Sequence, residues 1–131
     1  MNLTEYIPKI LIIDDNAANV LLLEKMLKLS SYNDIQTLTD SRKVIDLYNI
    51  YRPDLILLDF RMPFMDGLEV IDSLNNIKAF TISPIIMISA ENEKEYYEKA
   101  LSKGAIDFIT KPFNYNDIIL KIKNALNYLN Y

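Results

Sequence analysis

Five short aliphatic runs punctuate the chain: KILIID at 9–14, DIQTLT at 34–39, DLILLD at 54–59, PIIMIS at 84–89 and AIDFIT at 105–110. Runs of this length, rich in Ile and closed by polar or turn residues, predict strands. Three have near-continuous aliphatic centres, as parallel strands covered on both faces require. The intervals between runs can hold a helix and two loops, and they are too long for hairpins.

The intervals carry helix patterns. Val20, Leu23 and Leu27 share one face of the first helix, with Glu24, Lys25 and Lys28 left for water. Val44, Leu47 and Tyr48 share a face of the second, behind a cap at Asp40 or Ser41. Leu68, Ile71 and Leu74 mark the third. The fourth, ENEKEYYEKALSKG, is acidic early and basic late, which suits the helix dipole, and it ends at Gly104 in a left-handed cap. The fifth starts near Asn114, with Asp117 placed as in a capping box, and buries Ile118, Ile122, Ala125 and Leu129. Gly67, after Asp66, is expected in a turn where a positive φ is easiest for glycine. Five strands alternating with five helices predict an α/β fold on a parallel sheet. A length of 131 residues predicts one domain spanning 1–131, with its core about 8–130.

Composition removes whole classes of chemistry. The chain has no Cys, so it offers no disulfide and no thiolate site. It has no His, which excludes a Ser-His-Asp triad, an imidazole base and a histidine metal site. Fourteen basic against eighteen acidic residues give a net charge of −4, which argues against direct nucleic-acid binding. Arg42-Lys43 and the segment from Lys121 to Lys123 read as solvated helix faces. The start, MNLTEYIPK, lacks the pattern of a secretory leader, and no aliphatic run approaches the ~18 residues of a membrane span. The expected location is the cytoplasm.

Acidic residues fall where such folds do chemistry. In open α/β sheets ligands bind beyond the carboxyl ends of the strands. Asp14 and Asp15 close the first run, Asp59 the third and Ser89 the fourth, and Lys111 follows the fifth. Two or three crowded carboxylates cannot all stay ionised without a compensating cation. A hard divalent ion, Mg²⁺ (or Mn²⁺), meets that need through carboxylates and phosphate oxygens. A nearby Lys and Ser would contact phosphoryl oxygens, and a remaining carboxylate could act as nucleophile to give an acyl phosphate. The residues alone therefore point to Mg²⁺-assisted phosphoryl chemistry.

Four segments carry a resemblance: ILIIDDN at 10–16, PDLILLDFRMPFMDGLE at 53–69, PIIMISA at 84–90 and GAIDFITKPF at 104–113. In this order and spacing the chain resembles the receiver domain of bacterial response regulators, the CheY-like fold, over essentially its whole length. The resemblance implies a doubly wound five-stranded parallel sheet in the order 2-1-3-4-5, flanked by five helices. It implies Asp59 as phospho-acceptor, with metal held by Asp15, Asp14, Asp59 and the backbone carbonyl of Arg61. Lys111 would pair with the phosphoryl group and Ser89 would be the switch hydroxyl. Ala90 would leave space for phosphate, and Phe108 would be the switch aromatic. A cis Lys111–Pro112 bond is implied as well.

Phe108 lacks the hydroxyl of a Tyr, so any signal it carries must be steric; a plain core Phe is the competing reading. Arg61 and Glu91 flank the path of an attacking water and are expected to modulate the lifetime of the acyl phosphate. The resemblance further implies a histidine kinase or histidine phosphotransfer domain as partner. It places an output domain or a homodimer on the face of helix 4, strand 5 and helix 5, where Tyr96, Tyr97, Tyr115, Tyr128 and Tyr131 cluster in sequence. The function implied is a phospho-accepting switch that catalyses its own phosphorylation and dephosphorylation. Two alternatives stay open: a pseudo-receiver acting as an interaction module without phosphorylation, and an aspartate-nucleophile phosphatase. Against the second, the position two residues after the nucleophile holds Arg61 instead of an acid.

Overall fold

A computed structural model describes residues 7–77 and 83–129. Five parallel strands form one sheet: β1 (Lys9–Ile13), β2 (Asp34–Leu38), β3 (Leu55–Asp59), β4 (Ile85–Ala90) and β5 (Ala105–Lys111). Their spatial order is β2-β1-β3-β4-β5. The helices are α1 (Ala17–Leu29), α2 (Val44–Tyr51), α3 (Gly67–Asn75), α4 (Tyr97–Lys103) and α5 (Tyr115–Leu129). Single 3₁₀ segments, Ser41–Lys43 and Glu91–Tyr96, precede α2 and α4.

Strand periodicity explains why the aliphatic runs are continuous. Ile10, Ile12, Leu55, Leu57, Ile86 and Ile88 point to one side, against Val20, Leu23 and Leu27 of α1 and Ile118, Ile122 and Ala125 of α5. Leu11, Ile13, Ile56, Leu58 and Met87 point to the other, against Val44 and Tyr48 of α2, Val70, Ile71 and Leu74 of α3 and Ala100 of α4. Both faces are dry, so neither parity of position can be polar. Leu129, expected in the α5 stripe, has a side chain outside the described residues.

The cap expected for the second helix serves the 3₁₀ turn before it: Asp40 accepts from the Arg42 amide, and α2 itself starts after Lys43 with no side-chain cap. The buried Ser41 hydroxyl donates to the Pro63 carbonyl at 3.3 Å. Asn114 accepts from the Asp117 amide at 2.9 Å. Asp66 and Glu69 form a reciprocal capping box at the start of α3. Gly104 closes α4 with φ 116°.

Two expectations are corrected. Gly67 does not have a positive φ; it is the first residue of α3, and its glycine is required by space. A Cβ there would lie 2.7 Å from the Asp59 carbonyl oxygen, 2.7 Å from Met87 Cε and 3.0 Å from Phe60 Cα. Gly67→Ala is therefore expected to destabilise by ~1–3 kcal/mol through overpacking, although Ala is the better helix former. An unchanged urea midpoint would contradict this. The fourth helix, expected from Glu91, becomes α-helical only at Tyr97; the backbone kinks at Glu93 (φ −106°, ψ 20°). Glu91, Glu93 and Glu95 belong to a 3₁₀ turn that brings the Glu93 carboxylate inward, and Glu98 stays in the first turn of α4.

Candidate functional site

The strand order sets β1 beside β3, with Ile13 opposite Leu58, so the residues that follow converge at one crevice. One carboxylate oxygen each from Asp14, Asp15 and Asp59 lies within 4.8 Å of the others. Asp14 is fully buried and Asp59 nearly so, whereas Asp15 is exposed at the rim. From β5, Lys111 Nζ donates to Asp59 Oδ1 at 3.1 Å and stands 4.0 Å from Asp14 Oδ2. One ammonium thus faces two buried carboxylates.

That imbalance appears in the acidities. Burial pushes the Asp59 carboxyl up to about 7; the Asp14 charge adds to the rise and Lys111 opposes it. Burial likewise raises Asp14, against the pull of the Asn16 amide and of Lys111. Asp14 Oδ1 accepts from Asn16 N–H at 2.9 Å. Its Oδ2 has no hydrogen-bond partner among the described residues. A buried carboxylate oxygen left in this state is costly unless something positive completes its shell.

The other residues expected at the site lie on β4, β5 and the loops after β3 and β4. Ser89 is buried near the end of β4, and its hydroxyl meets Tyr97 Oη at 3.5 Å. Ala90 is the last residue of β4, in register with Lys111. The Lys111–Pro112 bond is cis. Phe108 is half-buried and stacks on Tyr97, with ring centroids 3.9 Å apart and an interplanar angle of 20°. Arg61 extends from the loop after β3, its guanidinium paired with Glu93. An open cleft of about 690 Å³ runs beside the acids, between Asp15, Arg61, Met62, Glu69 and Lys99.

Two residues carry more than the sequence reading assigned them. Glu93 is buried, accepts from the Ala90 amide at 2.7 Å and holds Arg61, so it ties the loop after β3 to the loop after β4. Glu91, expected to flank the water path with Arg61, has a side chain outside the described residues. Tyr97, expected on a partner surface, is turned inward between Phe108, Ser89 and Thr110. Tyr96 packs on Phe60 and Tyr115 bonds Ser30, so these too are occupied within the chain. Tyr131 and the side chain of Tyr128 lie outside the described residues.

A family model described as the response regulator receiver domain matches residues 10–123. The transcriptional regulatory protein PdtaR of Mycobacterium tuberculosis is 30% identical over 119 residues, covering 91% of this chain and 57% of that protein. The transcriptional regulatory protein KdpE of Staphylococcus aureus is 40% identical over 115 residues, covering 88% of this chain and 48% of that protein. The chain spans about half the length of the curated relatives it matches. Among solved structures, the receiver domain of NtrX from Brucella abortus superposes with a TM-score of 0.82 at 30% identity, covering 91% of this chain and 98% of that one. Among the described residues no helix is long and apolar enough to cross a membrane.

Proposed function

The chain belongs to the response regulator receiver domain family, and on that footing we propose that Asp59 accepts a phosphoryl group from a partner phosphohistidine and thereby switches the loop after β4. The observation that carries this reading is the meeting of three carboxylates and one ammonium, with Lys111 bonded to Asp59 and a buried Asp14 oxygen unpartnered. The donor set suits a hard divalent cation, all oxygen and short of positive charge. Asp14, Asp15, Asp59 and the backbone carbonyl of Arg61 would hold Mg²⁺ (or Mn²⁺). When bound, the ion supplies positive charge against the crowded carboxylates and the phosphoryl oxygens.

The chain's own residues then divide the work. An Asp59 carboxylate oxygen attacks phosphorus as the bond from phosphorus to the donor imidazole breaks, its electron pair leaving with nitrogen. Lys111, already bonded to Asp59, sits where the incoming oxygens need a counter-charge. Ser89 turns its hydroxyl to the phosphoryl group, into the room Ala90 leaves, and the population shifts toward a closed loop. Phe108 moves with that loop as a steric element. The chain contains no His, so the donor histidine lies outside these 131 residues, on a kinase or phosphotransfer domain. Leu101 of α4 and Ile106 of β5 are exposed, which supports an output domain or a second copy on that face. Relatives named as transcriptional regulators support a cytoplasmic location. The whole of 1–131 is read as one receiver unit.

Incubation with a small acyl phosphate and Mg²⁺, followed by intact-mass measurement, tests the proposal. The expected product is one phosphoryl adduct per chain, decaying slowly. No adduct would favour a pseudo-receiver, and many turnovers without an adduct would favour a phosphatase. Arg61→Ala is expected to speed adduct loss about three- to tenfold, by unfastening the Arg61–Glu93 tie beside the water path. Glu91, on the same loop, is assigned a share in this control. An unchanged decay in Arg61→Ala and Glu91→Ala would contradict that part of the account.

A further inference from the structure

The hydroxyl missing from Phe108 is supplied by another residue. Tyr97, the first residue of α4, lies flat on the Phe108 ring, centroids 3.9 Å apart. Its Oη reaches Ser89 Oγ at 3.5 Å and Thr110 Oγ1 at 3.3 Å. Ser89 and Thr110 are register partners on β4 and β5, and the residue after Thr110 is Lys111, which holds Asp59. Three hydroxyls therefore form a short chain between the acid cluster and the start of α4.

We propose that Tyr97 is a positioning residue that holds Ser89 in the unphosphorylated arrangement and carries its change of partner into α4. The proposal rests on the reading of Ser89 as the hydroxyl that engages the phosphoryl group. Ser89 is buried, so its O–H needs a partner in every state of the protein. Before phosphorylation Ser89 donates to Tyr97, whose hydroxyl is also bonded to that of Thr110. When Ser89 donates to a phosphoryl oxygen instead, the link to Tyr97 is given up while the Tyr97–Thr110 bond stays. The first turn of α4 then loses one of its ties to the sheet, while the ring stack on Phe108 remains as a pivot. No covalent step is involved; the exchange is one hydrogen bond for another. The steric and polar duties of the switch are thus split between β5 and α4, with Phe108 holding the ring and Tyr97 the hydroxyl.

Tyr97→Phe keeps the stack and deletes the hydroxyl, which makes it the discriminating variant. Beryllofluoride with Mg²⁺, titrated calorimetrically as a phosphoryl mimic, is expected to bind this variant about two- to tenfold more tightly than the wild type. That is the range of one net hydrogen bond between neutral groups. In the metal-free protein, amide hydrogen exchange across Tyr97–Lys103 is expected to quicken by a similar factor. On a Ser89→Ala background the affinity effect of Tyr97→Phe should vanish, because the partner is already gone, and the exchange effect should shrink to the share of the Thr110 tie. A merely structural Tyr97 would keep its effect on that background. Unchanged affinity and exchange in Tyr97→Phe, or an affinity gain that persists in full without Ser89, would overturn the proposal. Failure of the wild type to take up beryllofluoride would instead defeat the phosphoryl-switch reading, and this inference with it.

Discussion

Asp59→Asn is expected to lose phosphoryl uptake completely and, without divalent ions, to be more stable than the wild type at about pH 8. The first effect follows because an amide offers no anionic oxygen to attack phosphorus. The second follows from linkage. The folded-state carboxyl of Asp59 ionises at about 7, above its ordinary value of 3.8, because burial and the Asp14 charge disfavour the anion. Below the ordinary value both folded and unfolded chains hold the proton, and Asp59 contributes nothing. Between the two values the folded chain holds a proton that the unfolded chain has lost, so stability falls as pH rises. Above about 7 the full penalty stands. Each unit of pKa corresponds to about 1.4 kcal/mol. Discounted for water reaching the rim at Asp15, the penalty is on the order of 2 kcal/mol. Urea unfolding in a chelator should show the variant and wild type converging near pH 4 and separating by that amount near pH 8. Added Mg²⁺ should stabilise the wild type much more than the variant, since the ion binds the folded acids. A variant no more stable than the wild type at the alkaline end would contradict the crowding argument.

Lys111→Met is expected to have the other large effect, with the opposite sign in stability. The Lys111 ammonium is bonded to Asp59 and stands 4.0 Å from the orphaned Asp14 oxygen. It lowers the pKa of both acids, so its removal raises both in the folded state. The loss of stability therefore appears at high pH, where the acids must ionise, and fades at low pH, where they hold protons. A loss of ~2–3 kcal/mol near pH 8 is expected, below the range for a fully buried pair because Lys111 itself is partly exposed. Phosphorylation by a small acyl phosphate should slow on the order of 100-fold, as when a preorganised charge contact is removed from a transition state. Equal destabilisation at pH 5 and pH 8 would show that Lys111 acts through packing rather than charge.

The parts of this molecule written in local pattern were legible in the sequence. The aliphatic runs had to be continuous because Ile10 and Ile12 face one layer of helices while Leu11 and Ile13 face the other. The acids at strand ends were visible as well, since strand ends are where an open sheet gathers its chemistry. The order of the strands came from the resemblance; periodicity says which faces are buried and not which strands are neighbours. What escaped was pairing between segments far apart in the chain. Gly67 looked like a turn glycine, yet its reason is the Asp59 carbonyl and the Met87 methyl pressed against it. Glu91 and Glu93 are equivalent in an acidic run, and only the kink in the 3₁₀ turn turns Glu93 toward Arg61 and the Ala90 amide. Tyr97 read as one aromatic among many until β5 set Phe108 beneath it. Composition cannot distinguish an inward tyrosine from an outward one when the deciding neighbour is on another element.

Among the acids that meet in the crevice, Asp59 is the group expected to take the phosphoryl. Borohydride reduction of the acyl phosphate converts a phosphorylated aspartate to homoserine, which peptide mass mapping locates by residue. After treatment with a small acyl phosphate, homoserine at position 59 alone, formed with Mg²⁺ and absent in chelator, is the predicted result. Homoserine at position 14 or 15, or no homoserine with the ion present, would contradict it.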